Sequence, residues 1–347
     1  MNDVHSEHKR VFSKIRLAMQ NFAADTVHEA LTEIISPDAD IHLCHPFGDV
    51  TGSVELYDVG DAPLATAFPD LERRDFILMA GEDHFGNMWV GSGGNYTGTF
   101  SQSWMDIPPT GHFAHMRFHE FFRFENSKIV EAQMVWDIPS LMMQADVWPM
   151  APSLGREIMV PAPASQDGII DAEYDTRKAE TSVRIVTDML AHLIKYPSQG
   201  GPEVMKMENF WHPRMNWYGP GGIGTSRGIS GFRSWHQIPF IKALPDRGQY
   251  PDEINHHFFG DHGYVAVTGW PNMVQTFTGD GWLGLPPTGK KFSLRSLDFW
   301  RIEKNLIREN WVLVDLLDMY HQIGVDVFSR MRERSGLRGI APIHGAA

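Results

Sequence analysis

The sequence predicts an α+β protein built as two tandem cone-shaped α+β barrels, each a curved antiparallel sheet with helices on one face. Three observations carry this. The chain has 347 residues, more than one ordinary core needs and enough for two domains of roughly 150 residues each. One odd loop is written twice, as WMDIPPTG at Trp104–Gly111 and as WLGLPPTG at Trp282–Gly289. In each half, helical periodicity comes first and a run of β-branched and aromatic strands follows, the order of an α+β fold with segregated helices.

The repeat runs through both halves. From Pro108 to Gln144 it needs no gap: Pro108-Pro109-Thr110-Gly111 falls on Pro286-Pro287-Thr288-Gly289, and Arg117, Phe121, Arg123, Glu125, Glu131, Asp137 and Gln144 fall on Arg295, Phe299, Arg301, Glu303, Glu309, Asp315 and Gln322. Upstream the offset falls from 178 to 176, so that Pro37, Gly48, Gly52, Pro63, Pro69 and Asp70 meet Pro213, Gly224, Gly228, Pro239, Pro245 and Asp246. Two extra residues therefore enter the second copy between Asp246 and Gly269. The period is far longer than that of a solenoid repeat, so each copy closes its own core.

Each copy opens with two amphipathic helices, Glu7–Phe22 and Thr26–Ile35 in the first, Ala172–Lys195 and Pro202–Phe210 in the second. A short strand follows (DIHLCH, MNWYG), then a third helix (LYDVGDAPLATAF, GFRSWHQIPFIKAL). Four strands close the unit, in the first copy at Asp75–Phe85, Met88–Phe100, Phe113–Glu125 and Ile129–Ile138. The Pro-rich PMAPSLGREIMVPAP at Pro149–Pro163 reads as an extended join. The domains are then a first cone at 1–148, a linker at 149–170, a second cone at 171–334 and a tail at 335–347.

Composition narrows the function. With 42% hydrophobic and 21% charged residues the chain is globular. Its net charge of −13 repels phosphate backbones and argues against a nucleic-acid partner. A single cysteine, Cys44, cannot form an internal disulfide. The N-terminal stretch lacks a signal-peptide core, and no run approaches the ~18 apolar residues of a membrane span. These features fit a cytoplasmic protein that does not bind membranes. The 11 Trp, 21 Phe, 8 Tyr and 18 Met fit either two large-residue cores or apolar pockets for an aromatic ligand.

The last two strands carry the chemistry. Asn126-Ser127 and Lys304-Asn305 read as the tips of two-residue hairpins. Counting from the tip sets Glu125 opposite Lys128, Phe122 opposite Glu131, Glu120 opposite Gln133 and Met116 opposite Asp137. One face then gathers Met116, Phe118, Glu120, Phe122, Glu131, Gln133, Val135 and Asp137. In the second copy it gathers Leu294, Ser296, Asp298, Trp300, Glu309, Trp311, Leu313 and Asp315. On a concave face, desolvation would fit Glu120 with Asp137, and Asp298 with Asp315, for proton transfer near neutrality. On a solvated face the same pattern gives ion pairs to Arg117 or Lys128.

The opposite face carries His115, Arg117, His119, Arg123 and Trp136. His115 and His119 lie about 13 Å apart on one strand and cannot share a metal. His256 and His257 point to opposite sides. For these four histidines the functional reading is substrate contact, and the reading favoured over it from pattern is an exposed or interdomain position. No metal-binding or nucleophile-elbow motif occurs, and GPGGIGTSRG at Gly219–Gly228 lacks the lysine of a phosphate loop and reads as a rim loop.

The motifs YTGTF…IPPTG and TFTGDGWLGLPPTG, with RFENSKIVE…D and RIEKNLIRENW…D, resemble the SnoaL-like polyketide cyclases, within the superfamily of nuclear transport factor two and ketosteroid isomerase. The resemblance spans roughly residues 8–148 and 178–330. It implies that an aspartate at the end of the last strand, here Asp137 or Asp315, is the acid/base of a cofactor-free aldol ring closure, and that the concave face is the one bearing it. The family's tryptophan on that strand is Trp311 in the second copy and Gln133 in the first. Its frequent neighbouring histidine is Ala132 and Asn310 here.

The reading is a metal-free, cofactor-free enzyme of lyase or isomerase type acting on a bulky apolar, aromatic small molecule by aldol or retro-aldol, dehydration or isomerisation chemistry. Asp137 or Asp315 would move the proton, and Glu120 or Asp298, held neutral, would donate to the oxyanion. Substrate contacts would come from His42, Gln133, Phe118 and Phe122 in the first copy and from Tyr218, Trp300 and Trp311 in the second. The first copy is favoured because Gln133 and His42 give it polar groups, whereas Trp311 and Trp300 would fill the second cone with rings. A binding or scaffolding protein, or a hydrolase with carboxylate-activated water, remains open on sequence alone. The two copies should form an internal pseudo-dimer, which could pair again as a homodimer.

Overall fold

The computed structural model describes residues 3–336. The tail expected at 335–347 lies outside the described residues from position 337 on. The first copy opens with α1 (Val4–Ala18) and α2 (Ala24–Ile34). Asp3 caps α1 by accepting from the Ser6 amide, which satisfies a free donor of the first turn. Strands β1 (Ile35–Leu43) and β2 (Gly48–Thr51) follow, then α3 (Gly52–Leu56) and α4 (Ala62–Ala67), joined by a π-turn at Tyr57–Asp61. Strands β3 (Glu72–Glu82), β4 (Met88–Thr99), β5 (Phe113–Glu125) and β6 (Lys128–Trp136) complete a sheet of order β2-β1-β6-β5-β4-β3, and α5 (Ile138–Gln144) closes the copy.

The second copy repeats this with α6 (Thr176–Leu193), β7 (Trp211–Tyr218), β8 (Ser226–Arg227), α7 (Gly228–Phe232) and α8 (Ile238–Ala243). Then come β9 (His257–Asp261), β10 (Tyr264–Thr268), β11 (Met273–Thr276), β12 (Lys291–Leu294), β13 (Ser296–Glu303) and β14 (Leu306–Val314), with α9 (Leu316–Gln322) and α10 (Val327–Arg334) last. The helix expected at Pro202–Phe210 is two short 3₁₀ turns. Among the described residues no helix is long and apolar enough to cross a membrane.

Three differences from the sequence-based expectation matter for function. The sheets are mixed, because β1 runs parallel to β6 and β7 parallel to β14. The length difference is spread over several places: the second copy is longer before β9, shorter in the β9–β10 hairpin and longer again after β10. Ser92 and Tyr96 pair with Glu120 and Met116, and Val267 and Met273 pair with the equivalent Asp298 and Leu294, so the longer span after β10 is Thr268–Asn272. It splits the strand that is continuous in the first copy, and β11 and β12 peel off as a separate ribbon.

The third difference is a β-bulge in each last strand. The tips are two-residue turns with positive φ at Asn126, Ser127, Lys304 and Asn305, and Glu125 does face Lys128. The register then slips by one. Phe124 pairs with Ile129 but Arg123 with Glu131, leaving Val130 extra; Ile302 pairs with Ile307 but Arg301 with Glu309, leaving Arg308 extra. One extra residue moves every later side chain of that strand to the other face. Glu120 therefore lies opposite Met134, and Phe118 opposite Trp136.

The sheets pack face to face. Phe121 stacks on Phe299 at 5.0 Å and meets Phe259 edge-on. Glycine lets the sheets approach here, since a Cβ at Gly91 or Gly93 would stand 3.0 or 3.1 Å from the Phe299 ring and press on it. The linker is bound, not free. Leu78 exchanges backbone hydrogen bonds with Gly168 and Ile170, and Arg156 pairs with Thr225.

Candidate active site

Each sheet has a cone face toward its helices and a seam face toward the other copy. The bulge decides which residues go where. In the first copy the cone face holds Phe118, Glu120, Met134 and Trp136, and the seam face holds Arg117, His119, Gln133 and Asp137. Glu120 and Asp137 thus do not share a face, and neither do Asp298 and Asp315; the expected carboxylate pairs do not exist.

The first cone is filled by its own side chains. Glu120 is fully buried and accepts from Arg73 at 2.6 Å, from the Tyr96 hydroxyl at 3.0 Å and from Trp136 Nε1 at 2.9 Å. Arg73 also binds Asp75 and Ser92 and lies over the Phe118 ring at 3.9 Å. Glu120 is therefore the ion-pair partner of a buried guanidinium and accepts from all three of these neighbours. Phe122 packs on Phe12 at 4.6 Å. Beside this network the buried Asp61 has no hydrogen-bond partner among the described residues, and burial raises its pKa to about 8.

The second cone is open. A groove of about 1020 Å³ runs along α6 to Asp298 and Trp300, and an inner chamber of about 100 Å³ continues past them to Trp217, His236, Gln237 and Asn310. The outer groove is at the upper end of what small-molecule sites enclose. Its mouth is completed by His5, Glu82, Asp83 and His84 of the first copy. The opening has a simple origin: Ser296 stands where the first copy has Phe118, Val314 where it has Trp136, and Met273 where it has Tyr96.

Asp298 stands where groove and chamber meet. Burial raises its pKa to about 7, against a hydrogen bond from Ser296 Oγ at 2.6 Å that favours the carboxylate. His236 is held neutral, its pKa pushed down to about 3 by burial, and stacks on Trp217 at 4.0 Å. Trp300 Nε1, His236 Nδ1 and both amide atoms of Gln237 are buried without a partner among the described residues. A polar atom so placed normally finds a partner, and here those atoms surround a cavity.

Of the substrate contacts expected from sequence, Trp300 lies in this cavity. The others do not. Trp311 is fully buried in the seam, donates from Nε1 to Pro161 O at 3.0 Å and lies 5.4 Å from Tyr218. Tyr218 donates to Glu309. Gln133 accepts from Thr268 of the other copy, and His42 binds Asp49 and stacks on Trp270. Phe118 and Phe122 are core of the filled cone. Of the two rings expected to fill the second cone, Trp311 fills the seam instead and Trp300 lines the cavity.

The strand-end aspartates Asp137 and Asp315 are seam residues. Asp137 caps α5 through Ser140 N and accepts from Gly221 N of the second copy at 2.9 Å. Asp315 caps α9 through Asp318 N and accepts from His45 N of the first copy at 2.9 Å. Gly221 and His45 are equivalent in the repeat, so the clasps exchange symmetrically. Burial raises both carboxyls, Asp315 to about 7. The histidines of open role also resolve. His119 is fully buried with Nδ1 against Leu297 O at 2.6 Å, His257 pairs with Asp83, His256 lines the groove and His115 lies beside Arg117 and Asp137. Among the described residues no group of three or more His, Cys, Asp or Glu could hold a metal ion.

The fold is an α+β cone in each copy, and in the second a half-buried acid lines the groove. The family model described as SnoaL-like polyketide cyclase matches residues 13–145 and 202–323. The chain belongs to the SnoaL-like polyketide cyclase family, as a tandem duplication. No curated protein matches it. Among solved structures it is similar to wild-type IdmH of Streptomyces antibioticus, a candidate polyketide cyclase, at 23% identity over 40% of this chain and 97% of that one, with a TM-score of 0.34. AclR of Streptomyces galilaeus, a candidate hydroxylase, matches at 22% identity over 41% and 86%, with a TM-score of 0.34. A candidate SnoaL-like polyketide cyclase of Jannaschia sp. CCS1 matches at 17% over 41% and 94%, with a TM-score of 0.36.

Proposed function

We propose that the chain is a cofactor-free acid/base enzyme with one working site, the cone of the second copy. The observation that carries this is Asp298: a carboxyl poised near neutrality in the wall of a groove of about 1020 Å³. A general base works best with a pKa near the working pH. The Asp298 carboxylate takes a proton from carbon next to a carbonyl, and Ser296 fixes the oxygen that does not. Trp300 Nε1 and the Gln237 amide are donors for the oxyanion that forms. The enolate then closes on a second carbonyl, expels a β-substituent or is reprotonated elsewhere, giving aldol, dehydration or isomerisation products. The groove suits a bulky, largely aromatic substrate, with Trp217 and Trp300 as stacking surfaces.

The test uses a step common to all these outcomes, exchange of the C1 protons of 2-tetralone with D₂O followed by NMR. Wild type should accelerate exchange. Asp298→Asn should lose ~10²–10⁴-fold, while Asp137→Asn and Asp315→Asn, compared at equal folded fraction, should keep the rate within a few-fold. No acceleration by wild type would point to a binding protein, and a large loss in Asp137→Asn alone would return the chemistry to the first copy.

A further inference from the structure

The second cone holds a half-buried cation, Arg247, that Asp298 favours electrostatically without reaching ion-pair distance. Arg247 lines both the groove and the inner chamber, next to Asp298. Its guanidinium forms neither an ion pair nor a hydrogen bond with any described residue, and its Nε is buried. The guanidinium lies over the Phe240 ring at 5.8 Å. Arginine stays charged at any working pH, and with its Nε buried and the rest of the half-buried side chain lining the groove, its donors are available to a bound anion. The first cone shows what this interior asks of a guanidinium. There Arg73 is paired with Glu120 and Asp75 and bonded to Tyr96 and Ser92. In the second cone the carboxylate equivalent to Glu120 is Asp298, which turns to Ser296 and stays beyond ion-pair distance of Arg247.

We propose that the substrate of this site is an anion, an aromatic molecule bearing a free carboxylate that pairs with Arg247 while its ring system lies against Trp300. This rests on the second cone being the binding site, and it names the substrate class. A guanidinium presents two parallel N–H donors that match a carboxylate. It also sets a polarity for the bound molecule: the carboxylate stands at Arg247, and the carbon that loses its proton stands at Asp298. An ester or amide at the same place would leave the guanidinium unneutralised. Asp298, when ionised, repels such a ligand, so its charge and the ligand's affinity are coupled.

The experiment is equilibrium binding of anthracene-2-carboxylate and of its neutral isostere anthracene-2-carboxamide to the full chain, followed by fluorescence. The carboxylate should bind at least tenfold more tightly. Arg247→Met should remove that preference and change the carboxamide affinity by less than twofold, with Arg247→Lys keeping part of it. Asp298→Asn should tighten carboxylate binding at pH 8 and leave the carboxamide unaffected. Equal affinity of the two probes for wild type, a preference that survives in Arg247→Met, or no binding of the carboxylate overturns the proposal. Because the readout is binding, a failure of the proton-transfer chemistry would show in 2-tetralone exchange and not here.

Discussion

The two cones are the same fold, one filled and one open. They share strand order, the bulge after the hairpin tip and an aspartate cap on the following helix. They differ in what points inward. The first packs Phe118, Trp136 and Tyr96 around an Arg73–Glu120 pair. The second puts Ser296, Val314 and Met273 at those places and leaves Arg247, Gln237 and Trp300 with unspent hydrogen-bonding groups. A site with unpaired buried groups lowers stability. Here a closed copy is fused to an open one, and it also supplies His5 and Glu82–His84 to the rim of its neighbour's groove. On the proposed function, one half would hold the structure while the other keeps a site.

The largest expected effect comes from making the second cone resemble the first. Ser296→Phe with Val314→Trp refills the chamber with the rings found in the first copy. Exchange of 2-tetralone should fall by ~10²–10⁴-fold, as for loss of the base itself, while overpacking costs about 1–3 kcal/mol of stability. Unfolding in urea and the exchange rate measured on the same samples separate the two. A folded double variant that keeps its rate would place the working site elsewhere.

The reverse operation breaks the first cone. Glu120→Gln leaves Arg73 with less than its full counter-charge in a sealed interior. Removing one member of a buried pair costs about 3–5 kcal/mol, so the chemical midpoint should drop sharply while exchange per folded molecule stays within twofold. Arg73→Met with Glu120→Leu should be less harmful than the sum of the two single changes, because the pair is removed together. A selective loss of rate in Glu120→Gln would mean that the filled cone is not purely structural.

Much of this was legible in the sequence. The tandem repeat, the element order and the two-residue hairpin tips all follow from spacing and turn residues. What spacing cannot show is a single bulged residue, Val130 or Arg308, because an extra residue inside a strand leaves the apolar pattern readable in either register. That one step moved Asp137, Gln133 and Trp311 to the seam and Trp136 to the cone. With the register known, the contrast of Phe118 with Ser296 and Trp136 with Val314 names the open half. Arg247 and Gln237 come from outside the sheet, where no alternation rule reaches, and only tertiary packing places them.

The carboxyls predict how the comparison depends on pH. Asp298 is raised from 3.8 to about 7 and Asp61 from 3.8 to about 8. In each case the folded state holds a proton that the unfolded state has released, so stability is fully present below pH 4 and is lost as pH rises through the folded pKa. Asp298→Asn and Asp61→Asn should each flatten that decline, by on the order of 4–5 kcal/mol between pH 4 and 9. The rate behaves oppositely, since the base must be ionised: exchange should climb through a midpoint near 7. Asp61→Asn should leave that limb in place. A limb that moves with Asp61 would couple the two cones.

The smallest effect is also the most direct check on the register. If Trp311 lay on the cone face, as counting from the hairpin tip suggests, it would stand beside Asp298 and a smaller ring would alter binding. In the structure it is sealed in the seam, and its indole holds the linker through Pro161. Trp311→Phe removes one hydrogen bond and part of a ring, leaving the Pro161 carbonyl unpaired, a cost of about 1–3 kcal/mol. The expected result is a lower unfolding midpoint and faster proteolysis within Pro149–Pro163, with anthracene-2-carboxylate affinity and 2-tetralone exchange unchanged within twofold. Trp300→Phe, one residue-equivalent across the hairpin, should do the reverse and weaken the carboxylate several-fold while leaving the linker protected. Should Trp311→Phe weaken the probe and spare the linker, the bulge at Arg308 is misplaced and the faces of β14 are exchanged.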